Sequence, residues 1–539
     1  MFEIGKDIFK HGFYGGQADR TPVARLRIVY WVFFVAFIIF ALRTLQLGIQ
    51  GTDTVRDVVG VSGWDISRAD IIDRNGEILA KNLESGHIQL VKKYMEEKDK
   101  EEIARVISEL FPYKYSVADA MKLIDSTKKY KELKKFASPE QIKKVKTAKL
   151  AGLEVMPVQV RKYPKRNMFS HVVGFLNKDG RAVQGAEAVF DDYLKENKDP
   201  LQLSLDSRVQ AAFYEQLSLA MQKYQTEAAM GMLMNSRTGE IIAMVSLPDF
   251  DPENIGNYPV ANRTLQTMRN PYELGSIFKI FNTALAMENG IDKEYLVNKP
   301  FIIEDKFGRP AAKITDVRSF KPPRPYLNVE EIMMMSCNVG SAQIALDLPD
   351  NAQKEFIERL HMDKALDLEM GRTERTILPQ KWGPVEKATV AYGHGISVTP
   401  MHLLLAVNAV TNGGFYVKPT LQKRGVGVVR AEKVLEEEIS ERLRAIMFRV
   451  AEETTAKQAR VAGIKIGGKT GTAEKYGADG KIDRKRNVTA FVGIFPVDAP
   501  QYTIMIVLDE PKGYPRTASY NAVPVTGKIL ETILPLIFE

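Results

Sequence analysis

Pro271-Tyr-Glu-Leu-Gly-Ser-Ile-Phe-Lys-Ile-Phe-Asn-Thr-Ala-Leu-Ala-Met-Glu-Asn-Gly290 is the segment on which the reading of this 539-residue chain turns. Pro271 and Gly275 precede Ser276, and an apolar run of Ile277, Phe278, Ile280, Phe281, Ala284 and Leu285 follows it. Asn289-Gly290 reads as a stop. The pattern predicts a buried helix with Ser276 in its first turn. Spacing i, i+3 sets the Lys279 amine one turn on, over the face that carries the hydroxyl. A serine hydroxyl is a poor nucleophile until a base takes its proton. A lysine serves as that base only where desolvation or a nearby cation lowers its pKa. A largely apolar helix supplies the first condition. A Ser-x-x-Lys match is expected about twice by chance in a chain of this length. The second match, Ser126-Thr-Lys-Lys129, lies in a Lys-rich stretch with no apolar wall and reads as a solvated face.

Two more short patterns follow in order. Ser336-Cys337-Asn338 interrupts an apolar stretch that resumes at Val339. Asn328 and Glu331 suit an N-terminal cap for the residues before it. A short loop between two helices would present Ser336 and Asn338, although the same residues also suit an ordinary helix–helix turn. Lys469-Thr470-Gly471-Thr472 follows Gly467-Gly468. A strand of alternating Lys and Thr beside glycines lets a substrate backbone approach closely, and it offers a cation and hydroxyls to a carboxylate. The bland alternative is a polar edge strand.

Ser-x-x-Lys, Ser-x-Asn and Lys-Thr-Gly form the set shared by penicillin-binding proteins and class A β-lactamases. The chain resembles the penicillin-binding proteins. Tyr272-Glu-Leu-Gly-Ser-Ile-Phe-Lys279 is similar to the family's Pro-Gly-Ser-Thr-Phe-Lys box, with Leu274 for the usual proline and Ile277 for the threonine. Tyr392-Gly-His-Gly395 and Ser397-Val-Thr-Pro400 resemble its Gly-x-Gly-x-x-x-Thr-Pro segment. Asp73-Arg-Asn-Gly76 with Leu79-Ala80, and Gly185-Ala-Glu187, resemble signatures of the class B pedestal. The resemblance runs from about residue 60 to the C-terminus.

It implies a serine-type D,D-transpeptidase acting on the D-Ala-D-Ala end of peptidoglycan stem peptides and acylated by β-lactams. Ser276 would attack, Lys279 would accept its proton, and Ser336 with Lys469 would pass a proton to the leaving D-Ala. Asn338 would hold Lys279 and the substrate amide. Thr470 and Thr472, with Gly471 between them, would bind the terminal carboxylate. The N–H groups of Ser276 and Thr472 would form the oxyanion hole. No metal or organic cofactor is implied. The His171-Val-Val-Gly174 segment and moderate length resemble the division (septal) enzymes, with an elongation enzyme as the alternative. The family also implies a SEDS-family glycosyltransferase and other divisome membrane proteins as partners. No glycosyltransferase domain is seen before the pedestal, unlike a bifunctional class A enzyme.

Composition narrows the rest. A net charge of +8 is spread along the chain, so nucleic acid binding has little support. The single cysteine, Cys337, excludes an intramolecular disulfide and is expected to pack rather than react. Six histidines without a metal-spaced pair argue against zinc. Ile28 to Leu42 is unbroken apolar sequence, and extension from Leu26 to Gly48 reaches the length a bilayer needs. Lys6, Lys10, Arg20, Arg25 and Arg27 precede it and keep the N-terminus cytoplasmic. No small-x-small cleavage site follows. The expected order is a cytoplasmic tail at 1–25, a single inner-membrane anchor at 26–48, an elongated periplasmic pedestal at 49–200 and a transpeptidase domain at 201–539.

Within these, Lys98–Leu110 and Val117–Phe136 read as solvated helices, and Val155–Arg161 and His171–Phe175 as strands. Leu201–Leu205 reads as a short strand and Asp206–Tyr224 as a helix. Residues 230–245 read as a hairpin turning at Asn235–Gly239. Val488–Phe495 and Tyr502–Leu508 pair, and Ala522–Leu536 is a final helix. Strands at both ends with helices between give an α+β domain, one antiparallel sheet meeting a helical cluster. Thr315–Pro325 is a Pro/Lys/Arg-rich loop without an assigned role. A β-lactamase would need a glutamate to hydrolyse its acyl-enzyme, and none is assignable. A sensor would need several membrane spans. A non-enzymatic scaffold would tolerate loss of Ser276 or Lys279, yet both are present.

Overall fold

A strand buried at every position needs cover on both of its faces. Ile241–Leu247 is buried at all 7 positions, and Tyr502–Asp509 at all but its first. The sheet they belong to therefore lies between helical layers. It is antiparallel throughout, in the order Gly467–Tyr476, Ile482–Phe495, Tyr502–Asp509, Ala228–Asn235, Ile241–Leu247. The structure is a computed structural model that describes residues 31–42 and 68–538, apart from 318–319, 425–428, 430, 478–481 and 514.

Helices Ser207–Tyr224 and Ala522–Ile537 pack on the sheet. Asp206 caps the first of them by accepting from Arg208 N. A second group of helices, Lys279–Glu288, Val329–Met335, Asn338–Asp347, Pro400–Thr411 and Glu437–Glu453, forms a cluster against it. Pro400–Thr411 is buried along its whole length, with Thr399 accepting from His402 N and Pro400 at the first helical position. The expected α+β layout, its hairpin, its C-terminal strand pair and its final helix are all present. Among the described residues Gly467–Tyr476 is an edge strand of the sheet.

The chain divides into two compact units, 66–85 with 159–539 and, among described residues, 86–158. The pedestal expected at 49–200 contributes to both. In the larger unit its signatures act as hydrogen-bonding hubs. Asp73 is buried, and Oδ1 accepts from Asn75 N and Glu77 N at 2.7 and 2.9 Å while Oδ2 accepts from Ser207 N at 2.9 Å. Glu187, fully buried, accepts from Arg161 Nε at 2.6 Å and Arg68 Nε at 3.0 Å. Such a cluster offsets its desolvation only while every partner stays in place. The smaller unit packs helices Lys100–Leu110, Val117–Ser126 and Pro139–Ala148 around Ile88, Leu90, Ile107, Ile124 and Leu133. Ser116–Asp119 and Ser138–Gln141 form capping boxes at two of these helices.

Three local expectations need correction. The helix expected at Val117–Phe136 stops at Ser126, and Tyr130–Lys134 is instead a strand paired with Ile88–Val91. Pairing with a ready strand outweighs the helical propensity of a Lys-rich stretch. His171–Phe175 is not a strand: Ser170–Val173 is a helical turn, and Gly174, at φ +79°, turns the chain into a strand at Phe175–Leu176. Leu201–Leu205 shortens to Leu201–Gln202, with Leu203 making a single bridge to Gln422. Residues 31–42 are helical, and every one is exposed, Phe33, Phe37 and Phe40 among them. Among the described residues no helix is long and apolar enough to cross a membrane, and the remainder of the 26–48 span lies outside them.

Candidate active site

Ser276 lies where its spacing placed it. Gly275–Phe278 is a 3-10 turn that runs directly into the helix Lys279–Glu288. The turn stacks the lysine over the serine, with Lys279 Nζ 3.1 Å from Ser276 Oγ. Lys279 is buried, as are Ile280, Phe281, Ala284 and Leu285 behind it.

The Ser-Cys-Asn pattern arrives from the neighbouring helix pair. Asn328 and Glu331 form a reciprocal cap at the start of Val329–Met335. Ser336 then ends that helix in a left-handed conformation, φ +57°, which is uncommon for a residue bearing a Cβ and recurs at functional sites. The reversal turns Ser336 and Asn338 onto Lys279. Its Nζ lies 2.5 Å from Ser336 O, 3.3 Å from Ser336 Oγ and 2.7 Å from Asn338 Oδ1. Cys337 is buried, and burial pushes its thiol up to about 12, so it packs as a neutral group.

The edge strand closes the site. Lys469 Nζ is 3.0 Å from Ser336 Oγ, so Ser336 stands between two amines. Gly471 has no room for a side chain, because a Cβ there would meet Leu274 O at 2.2 Å. At Gly275 a Cβ would come within 2.5 Å of Thr472 O and 3.3 Å of Thr472 N. The backbone of Thr472 therefore packs against the turn that carries Ser276. Gly393 approaches from the other side, at φ +81°, where a Cβ would meet Gly275 O at 2.1 Å. Thr470 Oγ1 is 3.1 Å from Thr455 Oγ1, and Thr472 Oγ1 accepts from Ala518 N at 3.2 Å.

Burial governs the protonation of the two amines. It lowers Lys279 from 10.5 to about 8. Burial, with the charge of Lys279 second, holds Lys469 well below the ordinary lysine value. Both shifts favour the neutral form of the amine, and the two lysines disfavour each other's charge. A lysine shifted in this direction suits a proton carrier. The structure thus brings Ser276, Lys279, Ser336, Asn338 and Lys469 into one hydrogen-bonded group, with Thr470, Gly471 and Thr472 on the adjoining strand. The control serine behaves as a solvated face, with Ser126 Oγ donating to Leu123 O at 3.0 Å. Among the described residues no three metal-binding side chains converge.

Two carboxylates in the site escaped sequence reading. Asp316 accepts from Asn338 N, and from Cys337 Sγ at 3.2 Å, which gives the Thr315–Pro325 loop a role in holding the turn. Glu273 accepts from Gly395 N at 2.9 Å and ties the Tyr392–Gly395 segment to the nucleophile turn. Both act across long sequence separations, and no local pattern marks either.

The family model for the penicillin-binding protein transpeptidase domain matches residues 229–534, and that for the penicillin-binding protein dimerisation domain matches 65–200. The chain is 29% identical over 503 residues to the probable peptidoglycan D,D-transpeptidase FtsI of Caulobacter vibrioides, covering 89% of this chain and 82% of that protein. It is 30% identical over 522 residues to stage V sporulation protein D of Bacillus subtilis, covering 88% and 78%. Against the peptidoglycan D,D-transpeptidase FtsI of Escherichia coli K12 it is 26% identical over 427 residues, covering 74% and 71%. The crystal structure of penicillin binding protein 2X from Streptococcus thermophilus superposes with a TM-score of 0.74 at 18% identity, covering 88% and 80% of the two chains, and shows a shared fold.

Proposed function

The chain belongs to the penicillin-binding protein family, and from that membership we propose that it is a peptidoglycan D,D-transpeptidase that cross-links stem peptides through a serine acyl-enzyme. The observation that carries the chemistry is the buried Lys279 amine, 3.1 Å from Ser276 Oγ and joined through Ser336 to Lys469.

Ser276 Oγ attacks the carbonyl of the penultimate D-Ala and gives its proton to Lys279. The oxyanion is received by the N–H groups of Ser276 and Thr472, preorganised donors that need not reorient as charge develops. The C–N bond breaks, and the D-Ala amine takes a proton delivered through Ser336 from the lysine pair. Asn338 holds Lys279 and the substrate amide, while the Thr470 and Thr472 hydroxyls receive the terminal carboxylate. An amine from a second stem peptide then attacks the ester, forms the cross-link and releases Ser276. The open edge of Gly467–Tyr476 suits an extended peptide added as a further strand. A β-lactam enters the same sequence but leaves an acyl group that only water can discharge.

The cellular role that fits best is septal wall synthesis, supported by the similarity to the FtsI transpeptidases. An anchor at 26–48 would hold the catalytic unit outside the inner membrane. That span and the pedestal are the surfaces proposed for a SEDS-family glycosyltransferase and other divisome proteins. The exposed aromatic helix at 31–42 supports the anchor.

A peptide ending in D-Ala-D-Ala, given with an amine acceptor, tests the reaction: D-Ala and a new amide should appear together. Release of D-Ala with no amide at any acceptor concentration would make the protein a hydrolase. Depleting the protein in cells tests the role, since filaments are expected and round cells would assign it to elongation. In the same cells a chain with residues 28–47 exchanged for an unrelated membrane helix should fail to restore division. Full restoration would make the anchor a tether only.

A further inference from the structure

One buried charged cluster lies beside the site and takes no part in the reaction above. Asp509, the last residue of the strand Tyr502–Asp509, is 7% exposed. Its Oδ1 and Oδ2 accept from Lys475 Nζ at 2.9 and 3.2 Å, and Oδ2 also accepts from the Tyr272 hydroxyl at 3.3 Å. Burial holds the Tyr272 hydroxyl above its ordinary pKa, so it stays a donor. Glu510 completes the cluster, accepting from Lys475 Nζ at 2.8 Å and Arg486 at 2.7 Å.

The two donors to Asp509 lead to the two halves of the oxyanion hole. Tyr272 lies just before the turn that carries Ser276 and is fixed to Val398 by a reciprocal backbone pair at 2.9 and 3.0 Å. Lys475 continues the strand that carries Thr472, just past a break in register between Glu474 and Lys475. Such irregularities re-aim a side chain and collect beside active sites. The halves also pack closely where Gly275 meets Thr472 and where Gly471 meets Leu274 and Ile277. A buried ion pair adds little net stability over apolar packing of the same volume. What a single carboxylate with two donors does supply is a fixed distance between the elements that hold them.

We propose that Asp509 is a positioning residue: through Tyr272 and Lys475 it ties the turn of Ser276 to the strand of Thr472, and so sets the separation of the two N–H groups that receive the oxyanion. This rests on the transpeptidase reading. Donors of this kind act only when held within about 0.5 Å of the productive geometry. Loosening one of them is therefore felt in the chemical step and not in ground-state binding.

The test separates the dissociation constant of the non-covalent penicillin complex from the acylation rate constant. In Tyr272→Phe the rate constant should fall about tenfold, the loss expected for one weakened transition-state contact, with the dissociation constant unchanged. Asp509→Ala should lose as much. The double variant should be no slower than Asp509→Ala alone, because without the carboxylate the hydroxyl no longer reaches the strand of Thr472. Asp509→Asn, with its amide oxygen in the Oδ2 position, still accepts from both Tyr272 and Lys475 and should recover most of the rate. A wild-type rate constant in Tyr272→Phe, or losses that multiply in the double variant, would overturn the proposal. If Asp509→Ala does not fold, Tyr272→Phe and Asp509→Asn decide it. Penicillin failing to acylate the unaltered chain would remove the transpeptidase reading itself.

Discussion

Ser276→Ala will take up no covalent penicillin, while Ser126→Ala will label as the unaltered chain does. The two serines share the Ser-x-x-Lys pattern and differ in everything the pattern omits. Ser276 has a buried amine 3.1 Å away and the Thr472 backbone packed against its turn. Ser126 is exposed, and its hydroxyl is spent on Leu123 O. Removing an activated nucleophile lowers the rate by about 10⁴-fold or more, since the groups that assist it have nothing left to assist. Loss of label in Ser126→Ala, or its survival in Ser276→Ala, would sink the assignment.

Lys279→Arg should acylate about 10²- to 10⁴-fold more slowly, the range supplied by a positioned general base. Arginine keeps the charge and can still donate to Asn338 Oδ1 and Ser336 O, but it does not give up its proton near neutral pH. The substitution therefore removes the base while leaving a cation in the pocket. Thermal unfolding should show a folded protein. A folded Lys279→Arg that acylates near the wild-type rate would move the base to Lys469.

The local chemistry was legible because each motif is short and lies on one element. The i, i+3 spacing of Ser276 and Lys279 survives as a turn and helix, and the Asn328–Glu331 cap forms as its residues suggest. The convergence of the three motifs had no local signal, because it depends on the left-handed turn at Ser336 and the close passage of Gly471 past Leu274. Asp316, Glu273 and Asp509 were invisible for a related reason. Each is an acid whose partner lies on another element, reached only by folding. The strand Tyr130–Lys134 failed differently: its polar, lysine-rich sequence favours helix until Ile88–Val91 offers it an edge. The span at 26–48 remains a matter of sequence, with only 31–42 described.

The pH dependence of penicillin acylation tests the central claim, that a buried and partly neutral Lys279 is the base. Burial lowers this amine to about 8. Below that value the amine is mostly protonated and cannot accept the Ser276 proton; above it, the base is free. The acylation rate should rise about tenfold per pH unit from pH 6 and level off above about 8, as the neutral fraction saturates. A rate independent of pH between 6 and 9, or one still climbing toward the ordinary lysine value of 10.5, would contradict it.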